Sequence, residues 1–546
     1  MSTNVSKQKR EKLILKIGIL RDYVFASETE QNWDKDELLI YLNDLEKEIL
    51  GQRYGLVFEE HLEVIDNLLK THVPILSEEE NLFIDGTQET NFLIEGDNLA
   101  ALKLLQKTHF KKIDLIYIDP PYNTNRGEFI YNDERIDGND MFRHSKWASF
   151  IKKRLICAKD LLSPTGYIFI SIDDNEYPVL KLICDNVFGE LRFLGTIAWE
   201  KRNKCQNTKT AKRMLQQKIE YILVYKNFSE RAEFSCHIIG QKEYPDCDEN
   251  GPFRAEEVGQ MGTEGMRGRE TMVFPILGIM PRVGNQWKLG CETIQECLDA
   301  GNITIENGKV IRKVRREDEE ENIIKPFWGF FSAKEFGTAE SAKAELSKIL
   351  GNKNHGFETV KPVEMIEEII YQVMAERDDG IILDFFAGSA TTMHATMRFN
   401  KNYDKRCSSI AVTTNENNIC RDISYERIKK AIENEGHDAK LKYYKVEYLL
   451  TDKKFYYEYA NELLFHIKEL VELENSADLR KSKNIAIIFT DEELSNFVKS
   501  DDFTRGCKLY LGHDVLPTSE DEVFLRENKV EINTIPNYYY TEFGGS

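Results

Sequence analysis

The chain lacks a long apolar run, and this absence limits the class of protein to which it can belong. No segment approaches roughly 18 consecutive apolar residues, so we expect no membrane-spanning helix and no membrane partner. Residues 1–10 lack the apolar core of a secretory signal peptide. Ten cysteines are scattered without a C-x-x-C pair, which indicates neither a zinc site nor a disulfide framework. We therefore expect a cytoplasmic protein with reduced thiols and no metal.

An excess of positive charge is also missing. The net charge of −20 at pH 7 argues against indiscriminate binding to nucleic acid, although a local basic face would still allow it. Two basic clusters are candidates for such a face: Lys201, Arg202, Lys204, Lys209, Lys212 and Arg213 in the first, and Lys309, Arg312, Lys313, Arg315 and Arg316 in the second. Solvated charge on loops is the alternative interpretation of both clusters.

The most informative pattern that is present is a short apolar run ending in an acid, two prolines and an aromatic ring. Residues 113–118 predict a buried strand, and Asp119, Pro120, Pro121 and Tyr122 follow it directly. The prolines fix φ and remove two backbone donors, which predicts a rigid turn with two bare carbonyls where α/β sheets bind ligands. This site suits a flat ring that bears an amino group, because Tyr122 can stack on the ring while Asp119 and the Pro120 carbonyl accept from the amine.

A second motif lies far downstream. Residues 381–383 predict a short buried strand, and it is followed by Asp384, Phe385, Phe386, Ala387, Gly388, Ser389, Ala390, Thr391 and Thr392. Gly388 permits a turn that a side chain would block. The hydroxyls and amides that follow it lie at a predicted helix start, where a carboxylate or phosphate is favoured. The spacing is not G-x-G-x-x-G, so it does not match a dinucleotide-binding loop.

Short apolar strands alternate with helical patterns from residue 92 onward, which predicts an α/β fold with a mostly parallel sheet. A long irregular stretch rich in glycine, methionine and arginine interrupts this alternation, and an insert of that length is usually functional. Residues 13–20, 38–50 and 455–470 have helical spacing, and residues 485–489 have the pattern of a strand. We predict a helical segment (1–75), a first domain part (76–199), an insert (200–355), a second domain part (356–440) and a small C-terminal α/β domain (441–546).

The two motifs, in this order, resemble the permuted β group of amino-methyltransferases that methylate DNA bases. Residues 91–99, 119–124, 143–147, 415–419 and 425–428 further resemble the modification (Mod) subunits of type III restriction-modification systems. The resemblance covers roughly residues 45–440. It implies a Rossmann-like methyltransferase fold, S-adenosyl-L-methionine as cofactor, and an insert that recognises the DNA target. It also implies double-stranded DNA with one flipped adenine as substrate, a homodimer, and a restriction helicase-nuclease (Res) subunit as partner.

The same resemblance assigns the catalytic position to Asp119, Pro120, Pro121 and Tyr122. Hydrogen bonds from adenine N6 to the Asp119 carboxylate and the Pro120 carbonyl are expected to favour a nucleophilic nitrogen and to stabilise its developing positive charge. Tyr122 is expected to stack on the flipped base, because an N6 inside the duplex cannot reach a buried methyl donor. His144 is expected to be structural or a phosphate contact rather than a general base.

The resemblance also implies a set of cofactor-binding residues along the second motif: Asp384, Phe385, Phe386, Ala387, Gly388, Ser389, Thr391 and Thr392. Asp97 matches an acid near the cofactor adenine, and it also fits a helix N-cap. Lys361 matches a lysine beside the cofactor carboxylate. Glu416, with Asn415 as competitor, is the candidate for binding the ribose hydroxyls.

Four alternatives remain at this point. The Asp-Pro-Pro-Tyr motif favours adenine N6, but methylation of cytosine N4 is possible with the same fold. An orphan adenine methyltransferase without a restriction partner fits the same residues. A non-catalytic DNA-binding specificity subunit would leave both intact motifs without a purpose. A nucleotide-dependent oxidoreductase would explain the glycine turn but not Asp119 to Tyr122.

Overall fold

A computed structural model describes most of the chain. The described residues are 5–26, 42, 59–124, 130–131, 134–135, 140, 142–205, 211–213, 215–228, 233–264, 268–357, 359–451, 455–480, 482–500 and 504–540. They divide into two compact units, one formed by Met1–Glu233 with Trp328–Ser546 and the other by Phe234–Phe327. Within the described ranges, no helix is both long and apolar enough to cross a membrane.

The strands are numbered in chain order. They are β1 (His72–Glu78), β2 (Thr90–Glu95), β3 (Ile113–Ile118), β4 (Ile130–Tyr131), β5 (Glu134–Arg135), β6 (Leu162–Ile172), β7 (Phe193–Glu200), β8 (Ile219–Lys226), β9 (His237–Gln241), β10 (Asp246–Asp248), β11 (Gly251–Glu257), β12 (Gln260–Gly262), β13 (Asn285–Trp287), β14 (Ile303–Glu306), β15 (Lys309–Arg315), β16 (Asn322–Lys325), β17 (Phe330–Phe331), β18 (Asp379–Asp384), β19 (Arg406–Thr413), β20 (Lys440–Leu450), β21 (Ile485–Ile488), β22 (Lys508–Gly512) and β23 (Glu531–Ile535).

The described α-helices are numbered in the same way. They are α1 (Val5–Ala26), α2 (Val64–Thr71), α3 (Asn98–Thr108), α4 (Arg143–Leu161), α5 (Tyr177–Val187), α6 (Cys291–Asp299), α7 (Ala333–Phe336), α8 (Ala339–Leu350), α9 (Val363–Met374), α10 (Thr391–Tyr403), α11 (Glu426–Glu435), α12 (Tyr456–Leu464), α13 (Ile467–Glu474), α14 (Asp491–Lys499), α15 (Ser519–Glu527) and α16 (Asn537–Tyr540).

A ten-stranded sheet organises the larger unit, with strand order β1-β20-β2-β19-β18-β3-β6-β8-β7-β17. The strands from β20 to β6 all pair in parallel, while β1, β7 and β8 add antiparallel pairs at its two sides. Five of the six residues of β3 are buried, as expected for a parallel strand with both faces covered. The predicted α/β fold with a mostly parallel sheet is therefore confirmed.

The helical prediction for residues 13–20 is confirmed, because they lie in α1. The predicted helical pattern at residues 38–50 lies outside the described residues except for residue 42. Residues 455–470 were expected to form one helix, but α12 ends at Leu464 and α13 begins at Ile467. The break coincides with His466, whose ring bonds the Leu76 carbonyl at 3.1 Å. The apolar spacing continues across the break, so periodicity alone did not indicate it.

The smaller unit, Phe234–Phe327, is narrower than the predicted insert of 200–355. It contains a four-stranded antiparallel sheet, β10-β11-β15-β14, and two two-stranded ribbons. Its core includes Val258, Ile276, Trp287 and Ile294. The difference arises because β8 and β17, which fall inside the predicted insert, pair with strands of the ten-stranded sheet.

A three-stranded parallel sheet, β21-β22-β23, follows the large sheet in sequence. Its helices α14 and α15 contact each other, and a small apolar core includes Ile488, Leu494, Leu509 and Leu525. The predicted C-terminal α/β arrangement is present in these residues, and the predicted strand at 485–489 corresponds to β21.

Candidate active site

The two sequence motifs lie at the same edge of the large sheet. β3 and β18 are parallel neighbours, with Leu115 opposite Ile382 and Ile116 opposite Leu383. Asp119 directly follows β3, and Asp384 is the last residue of β18. Because the carboxyl ends of parallel strands lie together, segments that are far apart in the sequence form one candidate site.

Asp119 is held by an ion pair and a tyrosine hydroxyl. The Lys361 Nζ lies 2.9 Å from each Asp119 carboxylate oxygen. The Tyr122 hydroxyl donates to Asp119 Oδ1 at 2.7 Å and accepts from Lys361 Nζ at 2.8 Å. Lys361 was predicted to lie beside a cofactor carboxylate. That role stays a prediction, and the structure adds a direct contact with the predicted catalytic acid.

Glu220, which the sequence analysis did not identify, completes this cluster. Its buried carboxylate lies 3.2 Å from Lys361 Nζ and 2.9 Å from Lys201 Nζ, and it accepts from the Tyr122 hydroxyl at 3.3 Å. Burial alone would raise the pKa of Glu220, but the two lysines outweigh burial and leave the pKa below its usual value. The available sequence signal was the single acid of β8, a strand whose other residues are apolar or aromatic except for the final Lys226.

The double-proline turn is anchored from two sides. The buried Trp147 indole donates to the Pro121 carbonyl at 2.7 Å. That carbonyl was expected to be bare and is not, because the tryptophan reaches it from α4. Asn123 has a left-handed φ of 54° and donates to Glu176 Oε1 at 2.5 Å. His144 Nδ1 lies 2.6 Å from the same oxygen, which supports the structural interpretation of this histidine.

Asp384 is almost fully buried and has two internal donors. The Thr392 hydroxyl donates to one carboxylate oxygen at 2.5 Å, and the Phe386 amide donates to the other at 3.0 Å. Burial raises the pKa of Asp384 to about 7, with the nearby Asp119 charge adding to the rise and the two hydrogen bonds opposing it. Asp384 therefore changes protonation near neutral pH.

The glycine turn between Asp384 and α10 has two left-handed residues, Gly388 with φ of 49° and Ala390 with φ of 58°. The Ala387 amide donates to the Val412 carbonyl of β19 at 3.1 Å, which ties the turn to the sheet. Among the described residues, no hydrogen bond uses the amides of Gly388 and Ser389. These two amides face no internal competitor and are available to an acceptor on a ligand.

The hydroxyls of the turn are used by a buried arginine. Arg427 Nη1 donates to Ser389 Oγ at 3.1 Å, to the Ser389 carbonyl at 3.2 Å and to Thr391 Oγ1 at 2.7 Å. Burial lowers the pKa of Arg427 to about 10. Arg427 lies in the segment 425–428 that resembles Mod subunits, but only the fold shows that α11 presents it to the turn.

Of the remaining predicted cofactor residues, Asp97 lies beside the turn and Glu416 does not contact it. Asp97 caps α3, accepting from the Leu99 amide at 2.8 Å, and the next side chain, Asn98, donates to the Phe385 carbonyl at 3.1 Å. Phe385 is buried, and the Phe386 ring packs 5.8 Å from the Phe150 ring, centre to centre.

Glu416 begins a short 3-10 turn after β19 and is exposed, and its side chain has no hydrogen-bond partner in the part of the chain that the structure describes. Asn415, its competitor, accepts from the Arg421 amide at 3.2 Å. The structure therefore places Asp119 and Lys361 in direct contact, puts Asp97 one residue before the side chain that reaches the Phe385 carbonyl, and leaves the Glu416 side chain exposed.

Most of the basic side chains in the second predicted cluster are paired with acids inside the smaller unit. The ion pairs join Lys309 to Glu257 at 2.6 Å, Lys313 to Asp248 at 2.6 Å, Arg315 to Asp248 at 2.9 Å and Arg316 to Glu321 at 3.1 Å. This pairing reduces the positive field that the cluster was expected to offer to DNA. In the first cluster, Lys201 faces Glu220, and Lys209 lies outside the described residues.

Comparison with known proteins gives consistent matches. A family model described as DNA methylase, for N6 and N4 methyltransferases, matches residues 113–434. The StyLTI type III Mod subunit of Salmonella typhimurium is 31% identical over 382 residues, which is 64% of this chain and 57% of that protein. The type II methyltransferase M.KpnI of Klebsiella pneumoniae is 34% identical over 342 residues, covering 58% of this chain and 78% of the other.

A second type III Mod subunit, EcoPI of Escherichia phage P1, is 29% identical, and the match covers 67% of this chain and 64% of the relative. The chain thus spans somewhat more than half the length of the two Mod subunits. The solved structure of the cytosine-N4-specific PvuII DNA methyltransferase aligns with 66% of this chain and 98% of the other, at 12% identity and a TM-score of 0.35.

Proposed function

The chain belongs to the DNA methylase family, and from that premise we propose that it transfers a methyl group from S-adenosyl-L-methionine to N6 of adenine in DNA. The observation that carries the proposal is the position of Asp119 and Tyr122 beside the Asp384 turn, at one edge of the sheet. One motif supplies acceptors for an amino group, and the other supplies free amides and a buried carboxyl for a cofactor.

The residues around the glycine turn fit the cofactor. The unused amides of Gly388 and Ser389 suit its carboxylate, and Asp97 lies on the helix that contacts the Phe385 carbonyl through Asn98. Asp384, Phe385, Phe386, Ala387, Thr391 and Thr392 form the rest of the wall. When bound, S-adenosylmethionine supplies an electrophilic methyl group on a sulfonium centre.

The chain's own residues prepare the amine. Asp119 and the Pro120 carbonyl accept hydrogen bonds from N6 of a flipped adenine, which orients its lone pair and stabilises the positive charge that develops there. Tyr122 offers its ring to the base, and its hydroxyl stays tied to Asp119 and Glu220.

The hydrogen bonds from Lys361 to Asp119 must break before the amine can bind to that carboxylate. Both Asp119 oxygens accept from the lysine in this structure. Glu220 lies 3.2 Å from the same ammonium, so the lysine remains paired with a carboxylate when the base takes over Asp119. Glu220 is therefore proposed as the residue that holds Lys361 during the reaction.

We propose further that the protein acts in the cytoplasm as the Mod subunit of a type III restriction-modification system, as a homodimer with a Res subunit. The match to two proteins named Mod subunits supports this assembly. A second candidate is an adenine methyltransferase without a restriction partner, which the 78% coverage of M.KpnI favours. Whether the neighbouring gene encodes a helicase-nuclease, and whether its product co-purifies with this chain, separates the two.

The reaction is tested with labelled S-adenosylmethionine and with adenine-containing and adenine-free DNA, followed by nucleoside analysis. We expect N6-methyladenine from the wild type and none from Asp119→Ala. Formation of N4-methylcytosine would support the proposed site but show that the substrate base is cytosine rather than adenine. An absence of cofactor binding by the wild type would overturn the proposed reaction.

A further inference from the structure

We propose that His394, Glu435 and His437 form a binding site for one divalent transition-metal ion such as Zn²⁺. His394 lies in α10, Glu435 is the last residue of α11, and His437 follows the glycine that ends that helix. None of the three belongs to the predicted catalytic or cofactor-binding residues. The proposal is independent of the reaction proposed above.

The geometry of the three side chains is close to that of a metal centre. Glu435 Oε2 lies 3.0 Å from His394 Nε2 and 3.2 Å from His437 Nε2. One ligand atom from each residue lies within 4.8 Å of the others. Donor atoms around a tetrahedral zinc ion with bonds of about 2.0–2.1 Å lie roughly 3.3 Å apart. Small side-chain movements are therefore sufficient to place an ion between them.

Hydrogen bonding alone does not account for this arrangement. Two imidazole nitrogens converge on a single carboxylate oxygen, so the three possible ligand atoms already face one another. The Nδ1 atoms of both rings are buried and have no hydrogen-bond partner among the described residues. Both histidine side chains are buried, at 0% and 3% exposure, so their rings are already desolvated.

The donor set indicates which ions fit. Two imidazole nitrogens and one carboxylate oxygen suit Zn²⁺, Ni²⁺ or Co²⁺ rather than Mg²⁺ or Ca²⁺, which prefer all-oxygen sites. The Glu435 side chain is 37% exposed, which leaves an open side for a water as fourth ligand. The Glu435 carbonyl is not that ligand, because it accepts from Lys401 Nζ at 2.6 Å.

The position of the site gives the ion a structural role. α10 begins directly after the glycine turn, and α11 carries Arg427, which bonds Ser389 and Thr391 of that turn. A metal held by His394, Glu435 and His437 joins α10 to the far end of α11. It thereby ties together the two helices that hold the turn.

The test uses the full chain, stripped with a chelator and titrated with Zn²⁺ and with Co²⁺ in a calorimeter. We expect one equivalent to bind, a rise in Tm with the ion, and at least a tenfold loss of affinity in Glu435→Gln and in His437→Ala. His513→Ala is the matched control, because His513 Nε2 also lies near an acid, 3.3 Å from Asp514, but outside the cluster. That variant should bind the ion like the wild type.

Because the chain has ten cysteines, the Co²⁺ spectrum is the second readout. A site made of imidazole and carboxylate gives no thiolate-to-cobalt charge-transfer band. The proposal is overturned if the wild type binds no ion, if such a band accounts for the bound ion, or if Glu435→Gln and His437→Ala bind as tightly as the wild type. Glu435→Gln nearly preserves side-chain shape, so circular dichroism should show it folded.

Discussion

The two halves of the candidate site are held in opposite ways. On the Asp119 side, the proposed catalytic carboxylate is occupied by Lys361, and charged side chains from four separate segments meet there. On the Gly388 side, hydroxyls and a buried arginine fix the turn while two amides remain unused. Under the proposed function, the cofactor side is thus preformed, whereas the base side must exchange an internal partner for its substrate. Binding at the glycine turn therefore depends mainly on shape, and binding at Asp119 depends mainly on charge.

The largest expected effect comes from removing the acid on the base side. Asp119→Ala should lower single-turnover methyl transfer by about 10²–10³-fold or more, because the developing charge on N6 loses its acceptor. The affinity for S-adenosylhomocysteine, measured by calorimetry, should change little. An equal loss of cofactor affinity would show that the two halves are not separate.

Glu220→Gln should be the most destabilising change in the base half. The substitution removes the buried negative charge that pairs with Lys201 and Lys361. Breaking a buried ion pair lowers the free energy of unfolding by about 3–5 kcal/mol. Denaturant unfolding measures this cost. The double variant Glu220→Gln with Lys201→Met should recover part of it, because it removes the ammonium that formed its ion pair with Glu220, whereas Lys361 keeps its pair with Asp119. Additive losses in the double variant would contradict the pairing.

Arg427→Lys probes the cofactor half. Lysine keeps the charge, but its shorter side chain does not place a nitrogen where Arg427 Nη1 bonds both Ser389 and Thr391. Loss of one charged hydrogen bond at the turn should weaken S-adenosylhomocysteine binding by about tenfold. Lys430→Arg, on the same helix but bonded to the Leu350 carbonyl, is the matched control. If Arg427→Lys binds the cofactor as tightly as the wild type, Arg427 does not shape the turn for cofactor binding.

The effect that is smallest over any single pH unit is a pH dependence of stability from Asp384. Its pKa is raised to about 7 when folded, so the folded chain holds a proton that the unfolded chain has released. This contribution is fully present below the usual aspartate pKa near 4 and is lost as the pH rises through about 7, with a slope of at most about 1.4 kcal/mol per pH unit. Asp384→Asn should remove that slope. Parallel stability curves for the two proteins between pH 4 and 7 would contradict it.

The sequence predicted local features well because strands and turns are determined largely by residues that are adjacent in the sequence. β3 has the bounds expected from residues 113–118, and Gly388 has the positive φ that its turn requires. Two residues with roles at the site escaped that reasoning. Glu220 and Arg427 act on segments far from them in sequence, and only the packing of β8 and α11 brings them to the site.

The partners of Trp147 and Lys361 also could not be predicted from the sequence. The prolines correctly indicated a rigid turn, but the sequence could not show that an indole from α4 takes the Pro121 carbonyl. Nor could it show that Lys361 reaches Asp119 and Glu220, since the ammonium position depends on how α9 approaches the sheet. Local rules fix backbone shape, whereas the partners of long side chains depend on tertiary packing.

The Lys361 ion pair has a consequence for base selection. Lys361 donates to both Asp119 oxygens and therefore competes with any base for this carboxylate. A base that binds there must displace the lysine. Adenine and cytosine present amino donors that replace the lost N–H contacts. Thymine and guanine present a carbonyl oxygen at the corresponding position, which repels the bare carboxylate instead. If the chain carries out the proposed reaction, this ion pair would reject a flipped base that cannot displace Lys361, in addition to any selection by shape.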